Sequence, residues 1–158
     1  MSQALDSITQ RLSQLYTGAV HDVLRGLGHD NCVLPAELRP LDPAIKVAGR
    51  VWTVSGHIDR TISRHDSLLG WTTLLSKAPA GHVVVCQPNN KEVALMGELS
   101  AETLKNKGVL GYVVDGGCRD TDSSWTRAFR CFTAFSRPRI LWRAGVPIVM
   151  RSPSPWAL

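Results

Sequence analysis

No run of apolar residues in this 158-residue chain approaches the ~20 needed to cross a bilayer. The opening MSQALDSITQRL lacks the apolar centre of a signal peptide, so the expected location is the cytoplasm. Four cysteines, Cys32, Cys86, Cys118 and Cys131, show neither a C-x-x-C pair nor a companion histidine spacing. That argues against a zinc site and against a disulfide framework. Acidic residues are missing from the last 35 positions, which hold six Arg and no Lys, whereas residues 1–123 carry 12 Lys+Arg against all 13 Asp+Glu. The whole basic excess of the chain therefore belongs to its tail. What remains is ordinary: 44% apolar residues are enough for one domain with a proper core.

Leu5 to Leu15 and Thr17 to Leu27 have helical spacing of Leu, Ile and Val, with Thr17 as N-cap and Gly28 as the stop. His21 and Asp22 read as a half-buried histidine and a surface acid. After Pro35, Pro40 and Pro43, Lys46 to Ser55 predicts a strand. The polar segment GHIDRTISRHD, residues 56–66, then predicts a loop suited to a pocket mouth, a subunit contact or plain solvation. Leu68 to Lys77 predicts a helix burying Leu68, Leu69, Trp71, Leu74 and Leu75, and His82 to Cys86 a Val-rich strand. Strand, helix and strand in this order imply α/β layering, with ligands beyond the strand ends.

The stretch richest in chemistry is GELSAETLKNKGVLGYVVDGGCRDTD, residues 97–122. Gly97 opens a helix over Glu98 to Lys107, with Leu99 and Leu104 as its buried stripe. The free amides at such a helix start, at the positive end of the dipole, suit a carboxylate or phosphate. Tyr112, Val113 and Val114 predict a short strand, and Asp115-Gly116-Gly117 a tight turn that delivers Arg119 and Asp120 to its carboxyl end. Arg119 offers a planar fork of donors for a carboxylate. Asp120 is a hard oxygen ligand of the kind Mg²⁺ or Mn²⁺ takes, with waters completing the shell. A 2-oxo acid would satisfy both residues. The plainer alternative is an Arg-Asp pair capping a turn, with Glu98 as an ordinary first-turn acid. Cys118 beside them reads as a small loop residue.

This stretch resembles the signature of the RraA-like family, named for the regulator of ribonuclease activity A. The family includes the class II 4-hydroxy-4-methyl-2-oxoglutarate and 4-carboxy-4-hydroxy-2-oxoadipate aldolases. In that branch a G-E-L helix start holds the pyruvyl carboxylate and an Arg-Asp pair follows a strand ending in D-G. The resemblance implies Gly97, Glu98, Leu99 and Ser100 as helix-start contacts to substrate, Arg119 as the substrate arginine and Asp120 as the metal ligand, with Arg119 and Asp120 carrying catalysis. It further implies a compact β/β/α swivelling-type fold, a divalent metal, and a homotrimer or hexamer with the site shared between protomers. The activity expected is a lyase cleaving 4-hydroxy-2-oxo diacids to pyruvate and a 2-oxo acid, with oxaloacetate decarboxylation as a companion; neither membrane nor nucleic acid is expected as a partner. The family's namesake is instead a non-catalytic protein-binding regulator of an RNA-processing ribonuclease and lacks the metal Asp; Asp120 favours the enzyme branch. Methyl transfer to a menaquinone precursor, another label attached to the family, finds no glycine-rich nucleotide loop here.

Two departures divide the chain into a family-like domain, residues 1–123, and an atypical Arg, Pro and Trp-rich tail, residues 124–158. The acid usual three places after the Asp is replaced by Ser123, with Asp122 just before it, which bears on the outer metal shell. The family's G-F-P-V-F segment and later strands are also absent from the tail. At face value an Arg-rich, aromatic tail points to RNA or another polyanion. A reading frame shifted by one base accounts for it better. Permitted codons for Ser124 to Arg143, read one base earlier, spell VLDAGFPVFHRFLTPADIVA, the family-like continuation. Phe129, Cys131 and Phe132 have codons beginning with T, which force apolar residues in that frame. The expectation is therefore a truncated member lacking its C-terminal strands, with incomplete core burial and possible loss of activity. Trp125, Phe129, Phe132, Phe135, Ile140, Leu141 and Trp142 would cover the surface left open, and Pro153 and Pro155 would end the chain irregularly.

Overall fold

The computed structural model describes residues 2–122, 124–136 and 147–151. Ser123, Ile140, Leu141, Trp142, Pro153 and Pro155, singled out above, lie outside the described residues. The chain divides into two compact units, Met1–Ala36 and Glu37–Leu158. The first is a pair of helices, α1 (Ser2–Gln14) and α2 (Thr17–Gly26). Tyr16, in extended conformation, is the N-cap of α2, so Thr17 is its first helical residue and not the cap. The helix closes where the amides of Gly28 and His29 return to the carbonyls of Arg25 and Leu24, at 2.9 Å each, the paired bonds of a Schellman ending.

The second unit is a mixed α/β layer. Its elements in order are β1 (Arg39–Pro40), β2 (Arg50–Ile58), α3 (Arg64–Lys77), β3 (His82–Gln87), β4 (Ala94–Met96), α4 (Glu98–Asn106), β5 (Gly111–Cys118), α5 (Trp125–Ala128), β6 (Cys131–Ser136) and β7 (Ile148–Arg151). Among the described residues the strands form one seven-stranded sheet in the order β1-β6-β5-β3-β2-β7, with β4 also on β5. The inner pairs β2–β3, β3–β5 and β5–β6 are parallel, while β1 and β7 join antiparallel at the edges. Parallel strands buried on both faces read as continuous apolar runs. In β5 every residue except Asp115 is buried.

The core gathers Val54, Val84, Cys86, Met96, Tyr112 and Val114 of the sheet against Leu74 and Leu75 of α3 and Ala101 and Leu104 of α4. Ser63 starts α3 in a reciprocal cap: its hydroxyl accepts from the Asp66 amide at 3.0 Å and donates to the Asp66 carboxylate at 2.6 Å. No helix among the described residues is long and apolar enough to cross a membrane.

Several local expectations need correction. The polar segment 56–66 is not one loop, because β2 runs on to Ile58, where His57 pairs with Val149, and α3 begins at Arg64. Leu68 and Leu69 are exposed and only Leu74 and Leu75 of the expected face are buried. In α4 the buried pair is Ala101 and Leu104, three apart on one face, while Leu99 stands 75% exposed.

Asp115-Gly116-Gly117 is strand, not turn. A Cβ on Gly117 would lie 2.5 Å from Phe135 Cε2. The glycine thus serves close packing against β6 at a register shift between Val114 and Gly117. Cys118 accordingly ends a strand, fully buried, with its Sγ 3.4 Å from that of Cys131.

Two strands come from the tail. β6 lies along β5, and β7 along β2, where the sequence predicts no strand. Of the tail aromatics, Phe129 is buried in the core, and Phe132 and Phe135 are half-buried on β6.

Candidate functional site

The loop after β3 carries the chain from Pro88 to Val93, and β4 then takes the place beside β5 that β3 has left. Met96 pairs with Cys118, and the Arg119 amide donates to the Met96 carbonyl at 2.8 Å. One residue later Gly97 caps α4. The helix start and the end of β5 are thereby tied to the same point.

Gly97 is extended and buried, so its need for glycine is one of room. A Cβ there would meet Asp120 Oδ2 at 2.8 Å and Arg119 Cγ and Nε at 3.0 Å. The Arg119 and Asp120 side chains lie directly over this bare backbone. Arg119 Nη1 is 3.4 Å from Asp120 Oδ2, and both side chains are a little over one-third exposed. At that exposure the pair contributes little to stability.

Asp120 adopts φ +58°, a left-handed conformation that few residues other than glycine enter. Its Oδ2 accepts from the Glu98 amide at 3.4 Å. The first free amide of α4 therefore faces a carboxylate, the charge that a helix N-terminus favours.

Of the six residues singled out in the sequence, Gly97 and Arg119 line a cleft with roughly 500 Å³ of space, part of it open to solvent. Glu98, Leu99, Ser100 and Asp120 do not line it. Leu99 points to solvent, and Ser100 Oγ accepts from Trp71 Nε1 at 3.0 Å, joining α4 to α3. The rest of the lining includes Leu68 and Trp71 of α3, Val93 and Leu95, and Ile148 and Met150 of β7, none of which the sequence marks as a site. Among the described residues no three His, Cys, Asp or Glu side chains gather to hold a metal. The donor at this site is the single hard carboxylate of Asp120. Such a donor fits a water-rich Mg²⁺ or Mn²⁺ shell and does not fit an all-protein zinc cage.

The comparisons with known proteins agree with this architecture. A protein of Halalkalibacterium halodurans named "Putative 4-hydroxy-4-methyl-2-oxoglutarate aldolase" is 29% identical over 133 residues, covering 84% of this chain and 58% of that protein. A crystal structure described as "novel cellulases from microbes associated with the gut ecosystem" superposes with TM-score 0.78 at 26% identity, over 92% of this chain and 64% of that one. The RraAS2 protein of Streptomyces coelicolor, an unusual member of the RNase ES inhibitor RraA family, gives 0.68 at 22%, over 89% of this chain and 69% of its own. The chain thus spans less than two-thirds of the length of the first two. The profile of the RraA-like family, Aldolase/RraA, matches residues 17–151. The chain belongs to the RraA-like family.

Proposed function

We propose that the protein is a divalent-metal-dependent lyase acting on a 2-oxo acid, of the kind that cleaves 4-hydroxy-2-oxo diacids to pyruvate and a second 2-oxo acid and decarboxylates oxaloacetate. The observation that carries this reading is the joint placement of Arg119, Asp120 and the α4 start around Gly97, with Gly97 and Arg119 lining the adjoining cleft. Arg119, the one charged side chain of the cleft lining among the described residues, holds the substrate carboxylate. Its fixed positive charge also offsets the negative charge that develops on the 2-oxo group as the carbon–carbon bond breaks. Asp120 would hold the metal by its hard carboxylate oxygen. A Mg²⁺ or Mn²⁺ ion held there would supply Lewis-acid polarisation of the 2-oxo oxygen. Gly97 leaves space for both side chains, and the Glu98 amide orients the Asp120 carboxylate.

The aldolase name of the Halalkalibacterium halodurans relative supports this class of substrate. The other reading, a non-catalytic regulator of an RNA-processing ribonuclease, is served by the same fold. The hard oxygen donor beside Arg119 favours the lyase. We place the protein in the cytoplasm as a homotrimer or hexamer, which a light-scattering mass measures directly. Purified protein with Mg²⁺ or Mn²⁺ is expected to release pyruvate from oxaloacetate or from a 4-hydroxy-2-oxo diacid. A loss smaller than tenfold in kcat/KM for both Arg119→Ala and Asp120→Ala would overturn the assignment.

A further inference from the structure

Gly97 and Arg119 follow the carboxyl ends of β4 and β5. The amino ends of the parallel strands lie at the other edge of the sheet, and there the chain is basic. Arg50 opens β2 and pairs with His82 at the start of β3. The Leu110 amide donates to the His82 carbonyl and the Tyr112 amide to the Arg130 carbonyl, both at 2.8 Å, so Arg130 closes the same row just before β6. The carboxyl ends of α3 and α4 reach this edge too, because each helix leads directly into a strand; they bring Lys77, Lys105 and Lys107. Lys107 Nζ donates to the Ser76 carbonyl at 2.9 Å, which ties the two helix ends together. Lys46 stands next to Val47, whose Cγ2 lies against Gly111 at the start of β5.

Five of these six cations are exposed and Lys107 is half-buried. Among the described residues none of them is in an ion pair. Two acids share the edge: Asp42, whose carboxylate already accepts from the Ala44 amide at 2.9 Å, and Glu102, one turn before Lys105. Residues 137–146 and 152–158 contain no Asp or Glu that could neutralise it. Helix dipoles favour lysine at the ends of α3 and α4, but they give no reason for Arg50, Arg130 or Lys46, which belong to strand starts and a loop.

We propose that this basic edge binds the phosphate backbone of single-stranded RNA without choice of sequence. From β6 to β2 the row crosses three strand spacings, about 14 Å, enough for a flexible strand to lay several phosphates across it. A protein partner would need an exposed apolar or aromatic anchor, yet Val83 and Val109 are buried here and Leu110 is half-buried. A phosphate chain needs cations alone. RNA is the nucleic acid that cells keep single-stranded. The proposal is independent of the lyase reading, since none of the six cations lines the cleft.

Fluorescence anisotropy of the full chain with a labelled, unstructured RNA of about 20 nucleotides, between about 50 and 200 mM salt, tests this. The logarithm of affinity should fall against that of salt with a slope of about −0.7 for each phosphate held. Arg50→Gln with Lys105→Gln and Arg130→Gln should weaken binding at least about tenfold and flatten the slope by about 2, with Tm unchanged. Arg60→Gln with Lys91→Gln and Arg151→Gln removes the same charge elsewhere and should change binding by less than about twofold. Equal losses in the two triple variants would assign binding to net charge and overturn the proposal, as would no binding by the unaltered chain. Poly-glutamate competing as well as unlabelled RNA would assign the edge to an acidic protein and overturn it too. Should the first triple variant lose its fold, Lys105→Gln alone is expected to weaken binding about threefold, and no change there would count against the edge.

Discussion

The charged end of the cleft and its apolar wall are built in opposite ways. The charged end comes from one continuous stretch, residues 97–120, in which a helix start and a strand end meet over a single glycine. The wall is drawn from three places far apart in the chain: residues 67–71 on α3, 93–96 around β4, and 148–150 on β7. The proposed chemistry thus lies in local sequence, whereas the shape of the cleft is a property of the assembled sheet. A change at the charged end should therefore abolish turnover without much effect on folding. A change in the wall should alter selectivity first.

The largest effect is expected from Arg119→Ala and Asp120→Asn. Each should lower kcat/KM by about a hundredfold or more, the usual result of removing a group aimed at developing charge. Thermal stability should hardly move, because both side chains are partly exposed and their mutual pair is weak. A collapse of Tm in either variant would break the division between chemistry and scaffold.

Both ends rest on the same buried sheet, and alkaline pH should undo them together. Burial pushes the Cys86 thiol up to about 12 from an ordinary value near 9. Cys131 is raised by its contact with Cys118 and by burial. Tyr112 is raised chiefly by burial. In each case the folded state keeps a proton that the unfolded chain releases earlier. The stability contributed is intact below the unfolded values and is lost as pH climbs toward the folded ones. For Cys86 the slope is roughly one kcal/mol or more per pH unit between about pH 9 and about 12. A Tm that stays flat from pH 8 to 11 would contradict this account of the core.

Gly97→Ala tests the charged end more gently. The new Cβ would press on Arg119 Cγ, which cannot move aside as a side-chain tip can. About tenfold lower kcat/KM is expected, since small misplacements of positioned groups are costly. Unchanged kinetics would mean that the Arg119 and Asp120 geometry is not what matters. The smallest effect should come from Tyr112→Phe. Among the described residues the buried Tyr112 Oη makes no hydrogen bond of ordinary geometry, only a weak contact with the Cys86 thiol, a poor partner. Removing it should leave stability unchanged or raise it by up to about 1 kcal/mol in a urea melt.

Much of the charged end was legible because its signals are local: glycine before a helix pattern, an apolar strand, then adjacent Arg and Asp. Glycine pairs usually mark turns, and Asp115-Gly116-Gly117 predicts one, yet here Gly117 makes room for Phe135 on the next strand. The type of Leu68 and Leu69 predicts a buried face, yet of the apolar residues of α3 only Leu74 and Leu75 are buried by the sheet and its neighbours. Trp71 carries a signal of a tertiary contact. An amphipathic ring needs a partner for its N–H, and here that partner is Ser100 on the next helix.

Residue type and near-neighbour order by themselves determined the α/β class, the helix start at Gly97 and the adjacency of a guanidinium to a carboxylate, because caps, periodicity and strand propensity act within a few residues. Only the tertiary structure decided that β4 replaces β3 beside β5 and that Ile148 and Met150 of β7 line the same cleft as Arg119. Those contacts depend on strand pairing between segments some 90 residues apart, and such pairings are selected by the packing of the whole sheet, which no local pattern encodes.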